Sequence, residues 1–233
     1  MPPPRPLILA LLALVPSFAA SAETAHYELD PVHTRVLFAV SHAGFSQAMG
    51  TVSGSHGELW FDPDDWSSAK LTVDVPMDRL DMGDPKWTRA VLAANLLDTA
   101  QYPVAHFVSK RIEAVDATHA RVCGDLAIRD VARDTCLGVT FNQLKRHPMP
   151  PFRRTAGFSA TATLSRKDFG ITVWPTVIGD TVELWIEAEA VRNARGAGDG
   201  TGDKVDEVPT PATPIEPDLP DPASTQAPPE TTP

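Results

Sequence analysis

Imidazoles bind metals and move protons near neutral pH, so the seven histidines, at positions 26, 33, 42, 56, 106, 119 and 147, are weighed first. They are scattered through the chain without the short ligand spacings of zinc sites, and no metal is expected. "FDPDDW", Phe61 to Trp66, is acidic but lacks the spacing of a calcium loop and reads as a turn between strands. Asp30 with His33 offers half of a hydrolytic triad, yet no serine on a strained strand-to-helix turn accompanies it. Neither a phosphate-cradling glycine loop nor a Cys–His pairing is visible, so no catalysis is expected. Two polar residues remain that could hold something. The guanidinium fork of Arg166, in "SRKDFG", suits a phosphate or a carbonyl oxygen, and equally a pair with Asp168 that pins a turn. His42 can hydrogen-bond a ligand or sit as a satisfied core residue.

The elements carrying these residues alternate with period two. "HTRVLFAVSHA" puts Val36, Phe38, Val40 and His42 on one face, and "VAHFVSKRI" does the same for Ala105, Phe107 and Ser109. "GELWF", "AKLTVDVPM", "VCGDLAI", "CLGVTF", "GFSATATL" and "DTVELWIEA" repeat the pattern, with Leu126, Phe141, Phe158 and Leu164 among the apolar positions. The opposite faces carry Asp74, Lys110, Arg121, Asp125, Glu183 and Glu187. About eight strands with short turns and an apolar inside predict a closed antiparallel barrel or sandwich in water, the reverse of an outer-membrane barrel. A barrel of this size is either filled by its own side chains or holds one small ligand. Small inward residues (Ala105, Ser109, Gly124, Ala160, Ala162, Ala188) point toward a cavity.

One segment breaks the pattern. In "DPKWTRAVLAANLLDTAQYP" the residues Trp87, Val91, Ala94 and Leu97 recur at helical spacing, with Asp84 as the cap and Pro85 in the first turn. A short amphipathic helix is expected to cover one end of the barrel with Trp87, Val91 and Leu92 or Leu96 inward, either as a lid or as a plug.

The ends of the chain differ in composition. Residues 1–22, with Arg5, a leucine-rich core and "ASA" ending at Ala22, read as a secretory signal too short to span a bilayer. A periplasmic or secreted mature chain starting near Glu23 follows. Residues 193–233 are rich in Pro, Thr, Gly and acids and predict a disordered tail. Between 199 and 233 eight carboxylates face Lys204 alone, which accounts for −7 of the net −10 and leaves the folded part near neutral. Nucleic acid is therefore not expected as a partner. Residues 23–192 make one domain. Cys123 and Cys136 in an exported chain suggest a disulfide, but a tight turn placed near Val131 would set them about four residues apart along the ladder, beyond bridging reach.

"YELDPVHTRVLFAVSHAGFS", "GTVSGSHGELWFD", "NLLDTAQYPVAHFVS", "CGDLAIRDVARDTCLGVTFN" and "GFSATATLSRKDFGI" together resemble, in order and spacing, the YceI-like family over about residues 25–192. The positions that match include Asp30, His33, Thr34, Phe38, His42, Gly50, Gly57, Phe107, Gly124, Leu126, Arg166, Asp168 and Gly170. Val52 stands where the family usually has an aromatic residue, and the helix segment is more apolar than usual. The resemblance implies an elongated lipocalin-like barrel that binds a polyisoprenoid lipid, as a prenylquinone or polyprenyl phosphate, without catalysis or a resident cofactor. The expected ligand-binding residues are Phe38, Val40, His42, Phe107, Leu126, Phe141, Phe158 and Leu164, with Trp87 and Leu92 on the lid and Arg166 at the mouth. A homodimer is compatible with this reading. The alternative is a filled barrel acting as an interaction protein through its acidic tail, whose partner the sequence does not name.

Overall fold

The structure is a computed structural model that describes residues 24–193. The signal expected at 1–22 and the tail expected at 193–233 lie outside the described residues, Asn193 apart. Strands β1 (Ala25–Leu29) and β2 (Arg35–His42) form one stave interrupted at 30–34. A second stave, β3 (Ser46–Ser53) with β4 (His56–Phe61), is interrupted at Gly54 and Ser55. The third is β5 (Lys70–Pro76) with the two-residue β6 (Leu80–Asp81). Five uninterrupted staves follow: β7 (Val104–Ala114), β8 (His119–Ile128), β9 (Val131–Arg146), β10 (Arg154–Ser165) and β11 (Ile178–Arg192). Each pairs antiparallel with the next, and β11 returns to β2 and β1, from Ile178 opposite His42 to Arg192 opposite Tyr27. The barrel is closed and has eight staves, one of the two architectures the period-two pattern allows and the one the family resemblance implies. Three strands that the pattern did not single out, β1, β3 and the short β6, extend staves already counted.

Bulges reset which residues face inward. In β7 the register shifts between Ser109 and Arg111, so Ala105 and Phe107 point inward before the bulge and Ile112 after it. Ser109 fills the gap in the ladder by accepting the Leu71 N–H at 2.9 Å. Opposite the bulge, a Cβ on Gly124 would lie 2.1 Å from the Val108 carbonyl oxygen. Gly124 is therefore small because a backbone approaches it closely, and it contributes no free space to the interior.

The β8–β9 hairpin corrects the cysteine register. Its turn is Arg129–Asp130, with Arg129 in the left-handed region (φ 59°), and Ile128 already pairs with Val131. Cys123 then faces Cys136 directly, and the two form a disulfide with Cα atoms 4.0 Å apart. The expectation of a four-residue offset came from placing the turn too late.

Helix α1 (Pro85–Leu92) is capped as its sequence predicts, with Asp84 accepting from the Lys86 and Trp87 N–H groups at 2.9 Å each. It stops at Leu92, earlier than the apolar spacing suggests. The Leu97 and Thr99 N–H groups return to the carbonyls of Val91 and Leu92, so Ala94 and Leu97 lie in the turns that follow. At the end of the barrel away from α1, Phe61 meets Trp66, Phe141 and Phe158 edge-on with centroids 5.1, 5.2 and 5.4 Å away. Such contacts add about 0.5–1.5 kcal/mol each beyond the area they bury. Outside, Lys110 pairs with Asp125 across β7 and β8 at 2.6 Å, an exposed bridge of little energetic weight. No helix among the described residues is long and apolar enough to cross a membrane.

Candidate functional site

The barrel encloses a cavity of about 500 Å³. Its lining runs from Trp87, Trp174 and Val177 at the end with the helix to Phe61, Trp66 and Phe158 near the aromatic cluster. Among the described residues, apart from tryptophan indoles and methionine thioethers, only Thr34, Ser41, His42, Ser55 and Arg166 bring polar side chains to its wall. A volume in this range, lined so apolarly, suits a hydrocarbon ligand.

Of the residues expected to line it, Phe38, Val40, His42, Trp87, Phe107, Leu126, Phe158, Leu164 and Arg166 do so. Phe141 does not. Its ring lies within the aromatic cluster against Phe61, Trp66 and Phe158. Leu92 also turns away from the cavity, packing against the cluster of Ala48, Val52, Leu80 and Met82. The face of α1 toward the cavity is instead Trp87, Ala90 and Val91, continued by Leu96 and Leu97 beyond the helix. The Trp87 indole meets the His42 ring at 5.6 Å, joining α1 to the end of β2. Arg129 fastens the following loop, donating to the Leu96 carbonyl at 3.4 Å and lying 5.8 Å from the Tyr102 ring centre.

Arg166 is buried and its guanidinium is spoken for by main-chain oxygens. Nε, Nη1 and Nη2 donate to the carbonyls of Gly179, Ile171 and Ile178 at 2.8, 2.7 and 2.9 Å. It holds the 170–179 loop in place, and the pair with Asp168 that its sequence position suggests is not the contact it makes. Gly170, in the left-handed region at φ 73°, ends the short helical turn 166–169 and starts that loop. The loop adds Ile171, Trp174 and Val177 to the mouth, residues with no periodic signal to mark them.

The grouping of Asp30, His33 and Glu189 brings ligand atoms within 4.8 Å of one another. Asp30 is already committed, however, accepting from the Val32 and His33 N–H groups and meeting the His33 ring at 2.8 Å. Partial burial would raise its pKa, but the hydrogen bonds from the His33 ring and the two amides outweigh that and hold it below 3.8. The same bond and the carboxylate's charge raise His33 above 6.5. This is a turn-stabilising pair.

Sequence reasoning did not place Thr34 and Ser55 on the cavity wall, since they fall in the breaks of the first two staves, where alternation lapses. Both residues belong to the cavity wall, but their hydroxyls are buried behind its surface.

An eight-stave antiparallel barrel wrapped around one apolar cavity defines a small-ligand-binding class of protein. The YceI-like domain matches residues 27–190, and this chain belongs to that family. It is 32% identical over 176 residues to a UPF0312 protein of Pseudomonas putida strain W619, covering 75% of this chain and 90% of that one. A UPF0312 protein of Pseudomonas syringae pv. syringae strain B728a is 32% identical over 188 residues, 79% of this chain and 96% of the relative. Among solved structures, BcnA of Burkholderia cenocepacia superposes with a TM-score of 0.60 at 19% identity, over 67% of this chain and 95% of that one. A polyisoprenoid-binding domain from Saccharophagus degradans superposes with a TM-score of 0.51 at 13% identity, over 73% of this chain and all of that one. At such identities these likenesses establish the shared fold.

Proposed function

We propose that this protein is an exported, non-catalytic carrier that sequesters a polyisoprenoid lipid in its barrel. The observation that carries the reading is the cavity of about 500 Å³, which a filled barrel would lack. Membership of the YceI-like family and the fold shared with a polyisoprenoid-binding domain support the ligand class. The leader-like residues 1–22 support a periplasmic or secreted site of action. The driving force is transfer of hydrocarbon from water, about 0.8 kcal/mol for each CH₂ buried. Chain length would be read by cavity depth, with α1 covering the entrance. Native mass spectrometry of protein purified gently from its own envelope tests this, followed by titration of the delipidated protein with prenyl lipids. A co-purifying mass with prenyl-repeat spacing, and saturable rebinding, are expected. A clean apo mass that no prenyl lipid changes would sink the proposal.

A further inference from the structure

At the end of the barrel away from α1, the β9–β10 hairpin runs on past its neighbour. The last β8 partner of β9 is His119, opposite Thr140, whereas β10 stays with β9 to Arg154 opposite Arg146, on the order of 20 Å further along. The turn is closed by the His147 N–H donating to the Arg153 carbonyl at 2.8 Å and the Phe152 N–H donating to the Met149 carbonyl at 2.9 Å. From Thr135 to Lys167 the chain carries no carboxylate, and the hairpin stem exposes Lys145, Arg146, Arg153 and Arg154. Among the described residues, Lys145, Arg153 and Arg154 make no ion pair. Carboxylates at the same end are turned to their own loops. Asp62, Asp65 and Asp116 accept from the N–H groups of Asp64, Ser67 and Thr118 at 2.9, 3.0 and 2.8 Å. At the tip, Met149 and Phe152 are 64 and 49% exposed. Cations on a free strand edge guard it against pairing with another strand, and Lys145 and Arg146 serve β9 in that way. The guard gives no reason for Arg153 and Arg154 on the other arm, nor for two large apolar side chains held out at the tip.

We infer that this hairpin docks the protein on an anionic lipid bilayer, with Met149 and Phe152 entering the headgroup boundary and the stem cations lying among the lipid phosphates. Charge and apolarity act together in such a contact. Negative headgroups draw the cations to the surface, and the tip side chains then leave water for the acyl boundary. A neutral surface would use the tip and waste the cations. A soluble polyanion would use the cations and leave Met149 and Phe152 in water. The inference is independent of what the barrel carries. Arg146 and Arg154 stand at the end opposite Trp87 and Trp174, so a barrel held by this hairpin keeps its mouth clear of the bilayer.

The test is co-sedimentation of the full mature chain with vesicles of phosphatidylcholine, alone or mixed with phosphatidylglycerol. The wild-type protein is expected to partition onto the anionic vesicles and hardly onto the neutral ones, and largely to come off as salt rises to about 0.5 M. Each cation near the surface contributes about fivefold, so R153Q/R154Q should weaken partitioning by roughly twentyfold. M149S/F152S keeps the charge and should lose severalfold, with the binding that remains abolished by salt. Equal partitioning onto both kinds of vesicle, none onto either, or an unchanged R153Q/R154Q would overturn the inference. So would binding that appears only once residues 194–233 are deleted, which would give the cations to an acidic peptide instead. All four substituted residues are exposed, so the thermal midpoints of both variants should match the wild type.

Discussion

Two residues make contrasting statements about stability. Gly124 has a carbonyl where a side chain would begin, 2.1 Å from an ideal Cβ, and that carbonyl belongs to a ladder that cannot step aside cheaply. Gly124→Ala should cost about 2 kcal/mol of unfolding free energy, read as a lower urea midpoint at unchanged slope. The Asp30–His33 pair acts through pH instead. His33 is raised above 6.5 in the folded protein, so its contribution is complete below that value and is lost as pH rises through the folded pKa. Asp30 is lowered below 3.8, so its share is present above that value and is lost as pH falls through the depressed one. A proton NMR titration should place the His33 midpoint above 6.5, and Asp30→Asn should return it toward 6.5. The residue scale is also where the sequence was least readable. Ile112 faces inward only because a bulge shifts the parity of β7, and no residue type announces a bulge. Thr34 and Ser55 sit at stave breaks, outside any alternation. Phe141 follows the inward parity faithfully, yet it belongs to an aromatic cluster, because parity gives a face and not a depth.

Elements with strong local chemistry were legible. The cap and first turn of α1 could be read directly from Asp84 and Pro85, whereas its end could not, since the bonds that terminate it reach back from Leu97 and Thr99. The β8–β9 hairpin shows how a small error in a turn spreads. Arg129 adopts a left-handed conformation without being Gly, Asn or Asp, so the true turn carries no conventional signature, and a displaced turn separates two cysteines that in fact pair. The bridge closes a short loop, with the cysteines 13 residues apart, and loop-closure entropy gives it about 3 kcal/mol. Reduction should therefore lower the urea midpoint by the equivalent of about 2–3 kcal/mol. The far-UV spectrum should persist, because the ladder continues on both sides of the disulfide, from His119 opposite Thr140 to Ile128 opposite Val131.

At the scale of the molecule, alternation narrowed the fold to an antiparallel barrel or a sandwich, since a water-facing polar side and an apolar inside leave few architectures for about eight strands, and the resemblance to the YceI-like family pointed to the barrel. Whether the barrel was filled could not be read in this way. The cavity depends on how side chains from eight staves meet, and single small residues such as Gly124 proved poor guides to it. Among the described residues, none beyond Ala188 lines the cavity. Deleting 194–233 should accordingly leave prenyl-lipid affinity within about twofold of the full mature chain, measured by the same titration.

Closure of the barrel joins the first stave to the last, with Tyr27 opposite Arg192 and Arg35 opposite Glu187. These are the most distant partners the domain could choose, and their pairing carries the largest entropic cost of any ladder in it. Until β11 is available, β10 and the β1–β2 stave both present unpaired edges, open to the wrong neighbour. Synthesis in order from the N-terminus thus produces a sheet that stays kinetically immature until its last fifteen residues arrive. The race between aggregation and folding is decided by how quickly that final strand finds the first.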